Sequence, residues 1–131
     1  MKKILPLLLF SFAAIFGCSH KADKDHSVQE VKLGAEVLLD DHISELKGKK
    51  VGLLMNPTSR IDGVHMLDTL MNLNVNVTAL FAAEHGFRGD AGPGEIIEDG
   101  IDLETGLPVY SLYGSSKKPT SEMLDNIDVL L

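Results

Sequence analysis

Cysteine is nearly absent from this sequence, and basic residues are scarce. Among 131 residues there is one cysteine, Cys18, so no disulfide framework staples the fold. Lysine and arginine together number 12 against 19 aspartates and glutamates, giving a formal charge of −7. Such a balance excludes nucleic acid as a partner, because phosphate binding requires clustered positive side chains. It equally excludes electrostatic adhesion to anionic lipid. No apolar run reaches the length of a membrane span. Three chemical signatures are missing as well. No histidine pair at i, i+4 and no cysteine set offers a metal site. No GxxxxGK[ST] stretch cradles a phosphate, and no GxSxG elbow presents a serine nucleophile. Neither a metal nor an organic cofactor is expected.

What is present begins with an export signal. Lys2 and Lys3 precede the apolar run Ile4 to Ile15, and Gly17-Cys18 follows it. This has the charged and apolar regions of a secretory signal, and a cysteine at its end looks like a bacterial lipoprotein cleavage site. Residues 1–17 are therefore expected to be removed and Cys18 to be lipidated. The expected location is exported and membrane-anchored, on the periplasmic or cell-surface side, with attachment through the lipid on Cys18. Removal takes away two lysines and no acid, which moves the formal charge from −7 to −9. Residues 18–32 are polar and mixed in charge without apolar periodicity, and read as a tether.

The chain is 44% hydrophobic overall, and the rest, residues 33–131, is long enough to support one modest core. Val37, Leu38, Ile43 and Leu46 predict a helical segment ending near Gly48, with Asp40-Asp41 as a breaking point. KVGLLM (50–55) is a short apolar run and predicts a buried strand. HMLDTLMNL (65–73) puts Met66, Leu67, Leu70, Met71 and Leu73 on one helix side, as core rather than cofactor contact. VNVTALF (75–81) and LPVYSLYG (107–114) predict two further strands. Thr120 is positioned to cap a short helix carrying Met123, Leu124 and Ile127, and DVLL (128–131) begins a fourth strand. The rhythm predicts an α/β fold: a Rossmann-like parallel sheet flanked by helices. With an apolar strand at Leu131 and no helix after it, the sheet is expected to be incomplete at its C-terminal end.

In an open parallel sheet, ligands bind outside the carboxyl ends of the strands. Three polar clusters fall there: Asn56-Pro57-Thr58-Ser59-Arg60, Glu84-His85-Gly86-Phe87-Arg88-Gly89-Asp90, and Tyr110 to Lys117. Each also has a plain structural reading. Asn56-Pro57 makes a turn as readily as a ligand contact, with Thr58 or Ser59 capping the next helix. Glu84 and Arg88 can form a loop ion pair, and His85 can be a structural hydrogen-bonder. The chemistry most compatible with the set is carboxylate chemistry. A glutamate beside Phe81 and Phe87 is expected to be partly desolvated, which favours the protonated acid and suits general acid catalysis. Glycoside hydrolysis needs such an acid plus a second carboxylate or an assisting substrate group.

LKGKKVGLLMNPTS, ALFAAEHGFRGD, DLETGLPVYSLYG and KPTSEMLDNIDVLL, in this order, resemble the NamZ-type exo-β-N-acetylmuramidase family. The resemblance runs from about Gly34 to Leu131. It implies a Rossmann-like N-terminal domain paired with a smaller C-terminal domain, and an active site in the cleft between them. It further implies removal of terminal N-acetylmuramic acid from the non-reducing end of peptidoglycan fragments, so the expected partner is a muramyl saccharide. Carried onto this sequence, the catalytic acid is Glu84, with His85 beside it. Asn56 and Tyr113 match positions that line the sugar site, and Asp90 is counted with them. The substrate's lactyl carboxylate calls for a guanidinium, and the only two arginines, Arg60 and Arg88, both fall in the rim loops. Two departures stand in the motifs: Ala83 where the family usually has proline, and Ser59-Arg60 where glycine often follows Asn-Pro-Thr. Because the family continues well past Leu131, the chain is expected to be its N-terminal part and to be inactive alone. A sugar-binding lipoprotein without the reaction, or a remnant of a split gene, are the competing expectations.

Overall fold

VGLLM and VTALFA form the centre of the sheet because each is an apolar run short enough for a strand, with both faces buried over Val51 to Leu53 and over most of VTALFA. The computed structural model describes residues 31–131, so the expected signal segment, Cys18 and most of the tether lie outside the described residues. Strand β1 (Val51–Met55) pairs in parallel with β4 (Val77–Ala82), in a register that sets Leu53 against Leu80 and Leu54 against Phe81. β4 pairs in parallel with β6 (Pro108–Ser111), and β1 with β7 (Val129–Leu130). A two-residue strand, β5 (Gly100–Ile101), runs antiparallel to β6 at the far edge. The order is β5-β6-β4-β1-β7. β1, β4 and β6 step one way and β7 returns to the other side of β1, which is the reversal that marks a Rossmann-like sheet. The outer side of β7 carries no strand among the described residues.

The sheet is thus mixed rather than wholly parallel. β5 escaped the sequence pattern because two exposed residues carry no periodicity. A second unanticipated element is the hairpin of β2 (Arg60–Ile61) and β3 (Val64–His65), whose turn residues Asp62 and Gly63 both have positive φ. That Asp-Gly pair is what a two-residue hairpin loop requires.

Before β1, α1 (Gly34–Val37) passes into a π turn at Leu38–His42 and a 3₁₀ turn at Ile43–Leu46. The changes fall after Val37 and after His42, so Asp40-Asp41 lie inside the π turn and not at a break, and Leu46 is the residue this segment buries. Helix α2 (Met66–Asn72) covers the sheet with Met66, Leu67 and Leu70. Met71 and Leu73 are exposed, contrary to the helix-side expectation. Met71 turns away from the buried stripe, and Leu73 lies beyond the last helical residue. The core joins these side chains to Val51, Leu53, Val77, Leu80, Ala82 and Phe87. Burying one Leu, Val or Phe side chain stabilises by about 1.5–3 kcal/mol, so α2 and the two central strands hold the fold. The last helix, α3 (Ser121–Leu124), starts where Thr120 Oγ1 accepts the Met123 N–H at 3.4 Å.

Candidate functional site

The C-terminal ends of β1, β4 and β6 open onto one rim, and each loop there is held by identifiable bonds. After β1, Asn56 Oδ1 accepts the Thr58 N–H at 3.0 Å, the Thr58 hydroxyl at 2.8 Å and the Ser59 hydroxyl at 3.4 Å. This is an Asx turn, so the side-chain oxygen of Asn56 serves the loop. Arg60 donates from Nε to Pro57 O and from Nη1 to Gly63 O, both at 2.9 Å, and closes the β2–β3 hairpin on that loop. The cap of α2 is neither Thr58 nor Ser59. His65, buried at 2% exposure, accepts the Leu67 N–H on Nδ1 at 3.3 Å. Its Nε2–H donates to Asn56 O at 3.1 Å, and its ring packs on Phe87 at 5.2 Å. One imidazole therefore joins the β1 loop, helix α2 and the β4 loop.

After β4 the chain turns sharply. His85 has φ +71 and Gly86 φ +80, and the Gly86 N–H donates to Ala83 O at 3.2 Å. A histidine held in the left-handed region is uncommon and costs roughly 1–2 kcal/mol. The His85 imidazole is exposed and its Nδ1 lies 3.4 Å from Ala91 O. Gly89, at φ +98, sits where an added Cβ would meet Pro57 Cγ at 3.0 Å, so a glycine lets the β4 loop lie against the β1 loop.

Glu84 departs from the expectation of a desolvated acid. It is exposed, because Phe81 and Phe87 point into the core on the far side of the loop. Its Oε1 accepts the Tyr113 hydroxyl at 3.0 Å and the Gly94 N–H at 3.2 Å. Its Oε2 takes no hydrogen bond among the described residues. Tyr113 is brought there by the end of β6. Its N–H donates to Ser111 Oγ at 3.1 Å, and Gly114 passes so close to Ile97 O that a Cβ would come within 2.9 Å. The bond to Glu84, and then the charge of that carboxylate, push the Tyr113 phenol above its ordinary value. Lys117 Nζ stands 4.4 Å from the Tyr113 ring centroid, on a loop fixed by the Ser116 hydroxyl donating to Lys118 O at 2.6 Å.

Arg88 corrects two expectations at once. It neither pairs with Glu84 nor offers its fork to a ligand. Nε and Nη2 hold both oxygens of Asp102, Nη1 and Nη2 hold both oxygens of Asp68, and Nη1 also faces Glu104 at 3.4 Å. A guanidinium has five N–H donors, and four of them are spent on these two aspartates, with Glu104 adding a further ion-pair contact. Asp102 is almost wholly buried and also accepts the Thr105 N–H and hydroxyl at 3.0 and 2.6 Å. Burial pushes the Asp102 carboxyl up, but Arg88 and Thr105 outweigh it and hold it below the ordinary carboxylate value. Arg88 itself is held above its ordinary value, chiefly by its bonds to Asp102 and Asp68. The cluster locks the β4 loop to α2 and to the 102–106 turn.

Two cavities adjoin these loops. One, about 530 Å³, is lined by Phe87, Arg88, Asp90, Ile97, Ile101 and Val109 among others, which places the exposed Asp90 at its wall. The other, about 430 Å³, lies by Ile97, Asp99, Ser111, Gly114, Ser116 and Met123. Glu84 and Tyr113 line neither, so this pair stands on the open rim. Among the described residues no group of three or more His, Cys, Asp or Glu side chains is placed to hold a metal ion.

Of the residues singled out in the sequence, the structure brings Glu84 and Tyr113 into contact and uses Asn56, Arg60 and Arg88 to hold loops. His65, Asp68 and Asp102 were not anticipated, and Lys117 entered only as the end of the third polar cluster. Only Asp102 carried a local signal, the turn-forming DLETG.

Known proteins resemble this chain in sequence and fold. The family described as Exo-beta-N-acetylmuramidase NamZ, N-terminal, matches residues 51–131. The Peptidoglycan beta-N-acetylmuramidase NamZ of Bacillus subtilis (strain 168) is 43% identical over 130 residues, covering 94% of this chain and 31% of its own length. A DUF1343 family protein crystal structure from Bacteroides fragilis NCTC 9343 superimposes with TM-score 0.66 at 48% identity, over 76% of this chain and 24% of its own. A second from the same organism gives TM-score 0.58 at 35% identity, over 74% and 23%. The chain thus spans about a third of the curated relative and about a quarter of each solved structure.

Proposed function

This chain belongs to the exo-β-N-acetylmuramidase NamZ family through the N-terminal domain it matches, and from that premise we propose that it is the N-terminal part of a glycoside hydrolase. The reaction is release of terminal non-reducing N-acetylmuramic acid from peptidoglycan fragments. The observation that carries the reading is the pairing of Glu84 with Tyr113 at 3.0 Å on the rim of the sheet.

The geometry supports an acid role for Glu84 without a desolvated pocket. Both donors converge on Oε1, which fixes the carboxyl group and leaves Oε2 to carry a proton toward the glycosidic oxygen. Tyr113 orients the acid, and the His85 turn aims it. The second requirement of glycoside hydrolysis is met in this reading by the substrate's own acetamido group or by the portion the relatives carry beyond the matched third. Residues 1–17 act as the export signal, Cys18 as the lipid anchor and 18–32 as the tether, which puts the rim on the side of the membrane where peptidoglycan lies.

The test is Glu84→Gln in the longest natural reading frame that carries this chain. General acid catalysis contributes about 10²–10⁴-fold, so turnover of a natural disaccharide should fall by about 3–6 kcal/mol in transition-state stabilisation. A nitrophenyl muramide, whose leaving group needs little protonation, should lose much less. Equal losses on the two substrates would remove the acid role. Binding of muramyl sugar with no turnover by the parent protein would favour the second reading, a non-catalytic sugar-binding protein, with which the exposure of Glu84 also agrees.

A further inference from the structure

A muramyl sugar differs from N-acetylglucosamine by a lactyl ether that ends in a carboxylate, and a site that selects it needs a cation within one saccharide's width of the catalytic acid. This inference rests on the muramyl reading above. Eight lysines and arginines fall among the described residues; Lys117 and its neighbour Lys118 are both exposed on the loop after β6, and Lys117 is the one whose ammonium stands over an aromatic ring. Arg88 makes four hydrogen bonds to Asp68 and Asp102 and also faces Glu104, while the exposed Arg60 uses two of its donors to close the hairpin on Pro57 O and Gly63 O. Lys32 pairs with Asp40 and Asp41. Lys47, Lys49 and Lys50 precede β1 and so stand at the opposite end of the sheet, where Lys50 Nζ donates to Asn126 Oδ1.

Lys117 is different. It is exposed, makes no ion pair among the described residues, and has its ammonium 4.4 Å from the Tyr113 ring centroid. The hydroxyl at the end of that same ring reaches Glu84 at 3.0 Å. One tyrosine ring therefore separates the ammonium from the carboxylate. In the substrate, the glycosidic oxygen and the lactyl arm leave the same sugar ring at C1 and C3, so both must be read within a similar span.

We infer that Lys117 is the specificity-determining residue for the substrate's carboxylate: its ammonium, held over Tyr113, receives the lactyl carboxylate while the glycosidic oxygen faces Glu84. The cation–π contact keeps the long side chain in place and leaves the three N–H donors free for an anion. A point charge on a flexible stem suits a carboxylate that itself hangs on a rotatable ether. The short Ser116–Lys118 bond holds the backbone on either side.

Calorimetric binding of N-acetylmuramic acid and of its neutral methyl ester tests this, using parent, Lys117→Ala and Lys117→Arg proteins in the longest natural reading frame. The parent should favour the acid over the ester by about tenfold, the scale of one charge-assisted hydrogen bond. In Lys117→Ala the ratio should collapse toward unity, in Lys117→Arg it should return, and added salt should shrink it in the parent. An unchanged ratio in Lys117→Ala, an equal loss for both ligands, or a parent with no preference for the acid would each overturn the assignment. These outcomes are read from binding ratios. Failure of the glycosidase reading shows instead as absent turnover in the parent, so the two are told apart.

Discussion

Tyr113 donates its hydroxyl to Glu84 across 29 positions of sequence, and a backbone amide ten residues from Glu84 lands on the same carboxylate oxygen. The contact makes each group a reporter of the other. With Tyr110→Phe leaving a single tyrosine, ultraviolet titration should show Tyr113 losing its proton above the ordinary phenol value near pH 10. Glu84→Gln should bring that midpoint down, because the negative charge that opposes phenolate formation is gone. A midpoint that does not move would mean that the two groups are apart in solution. Tyr113→Phe should lower turnover by about 3- to 10-fold through looser orientation of the acid, the scale of an exposed hydrogen bond.

The Arg88–Asp102 pair sets an acid limit on stability. Asp102 is held below its ordinary value in the folded chain, so its contribution is present above the unfolded carboxylate value and is lost as pH falls through the lower folded one. Denaturant midpoints should therefore drop steadily below about pH 4, and Asp102→Asn should flatten that slope while lowering stability at neutral pH. Arg88→Ala, which leaves a buried carboxylate without its partner, should cost about 3–5 kcal/mol. Arg88→Lys should recover only part, since an ammonium cannot hold two carboxylates through paired bonds.

His65 is a joint that a stability series can dissect. Its removal takes away the α2 cap, the hydrogen bond to Asn56 O and the packing on Phe87. His65→Ala should cost about 2–4 kcal/mol by urea unfolding, in the range of core polar losses. His65→Asn keeps an oxygen for the cap and should be less damaging by about 1 kcal/mol. Equal costs would show that the cap contributes nothing.

His85 stands in a left-handed conformation that glycine adopts without strain. His85→Gly should leave stability unchanged or raise it by about 1 kcal/mol, the strain relieved being partly offset by glycine's greater entropy loss. If the imidazole helps to orient substrate, turnover should fall in the same variant. Stability and activity moving in opposite directions is the signature to look for. A variant that keeps full turnover would reduce His85 to a turn residue.

Sequence by itself determined the parts of this protein governed by short-range pattern. The apolar runs at β1 and β4, the Met66-Leu67-Leu70 stripe of α2 and the Thr120 cap all follow from periodicity and capping chemistry within a few residues. So does the placement of three polar loops at one rim, because strands that run parallel all point the same way. The tertiary structure decided which polar groups are free and which are used. Arg88 reads locally as a ligand-binding rim residue, yet its partners lie 14 and 20 positions away, on a turn and a helix that no local pattern links to it. His65 looks like the first residue of a helix, but its second nitrogen reaches back nine residues to Asn56. Glu84 was expected to be desolvated because two phenylalanines are its neighbours in sequence; the left-handed turn at His85 sends Phe87 inward and leaves the carboxylate on the surface. A hydrogen-bonding group takes whichever partner the packed chain brings within about 3 Å, and that choice is made by the fold, not by the residues beside it.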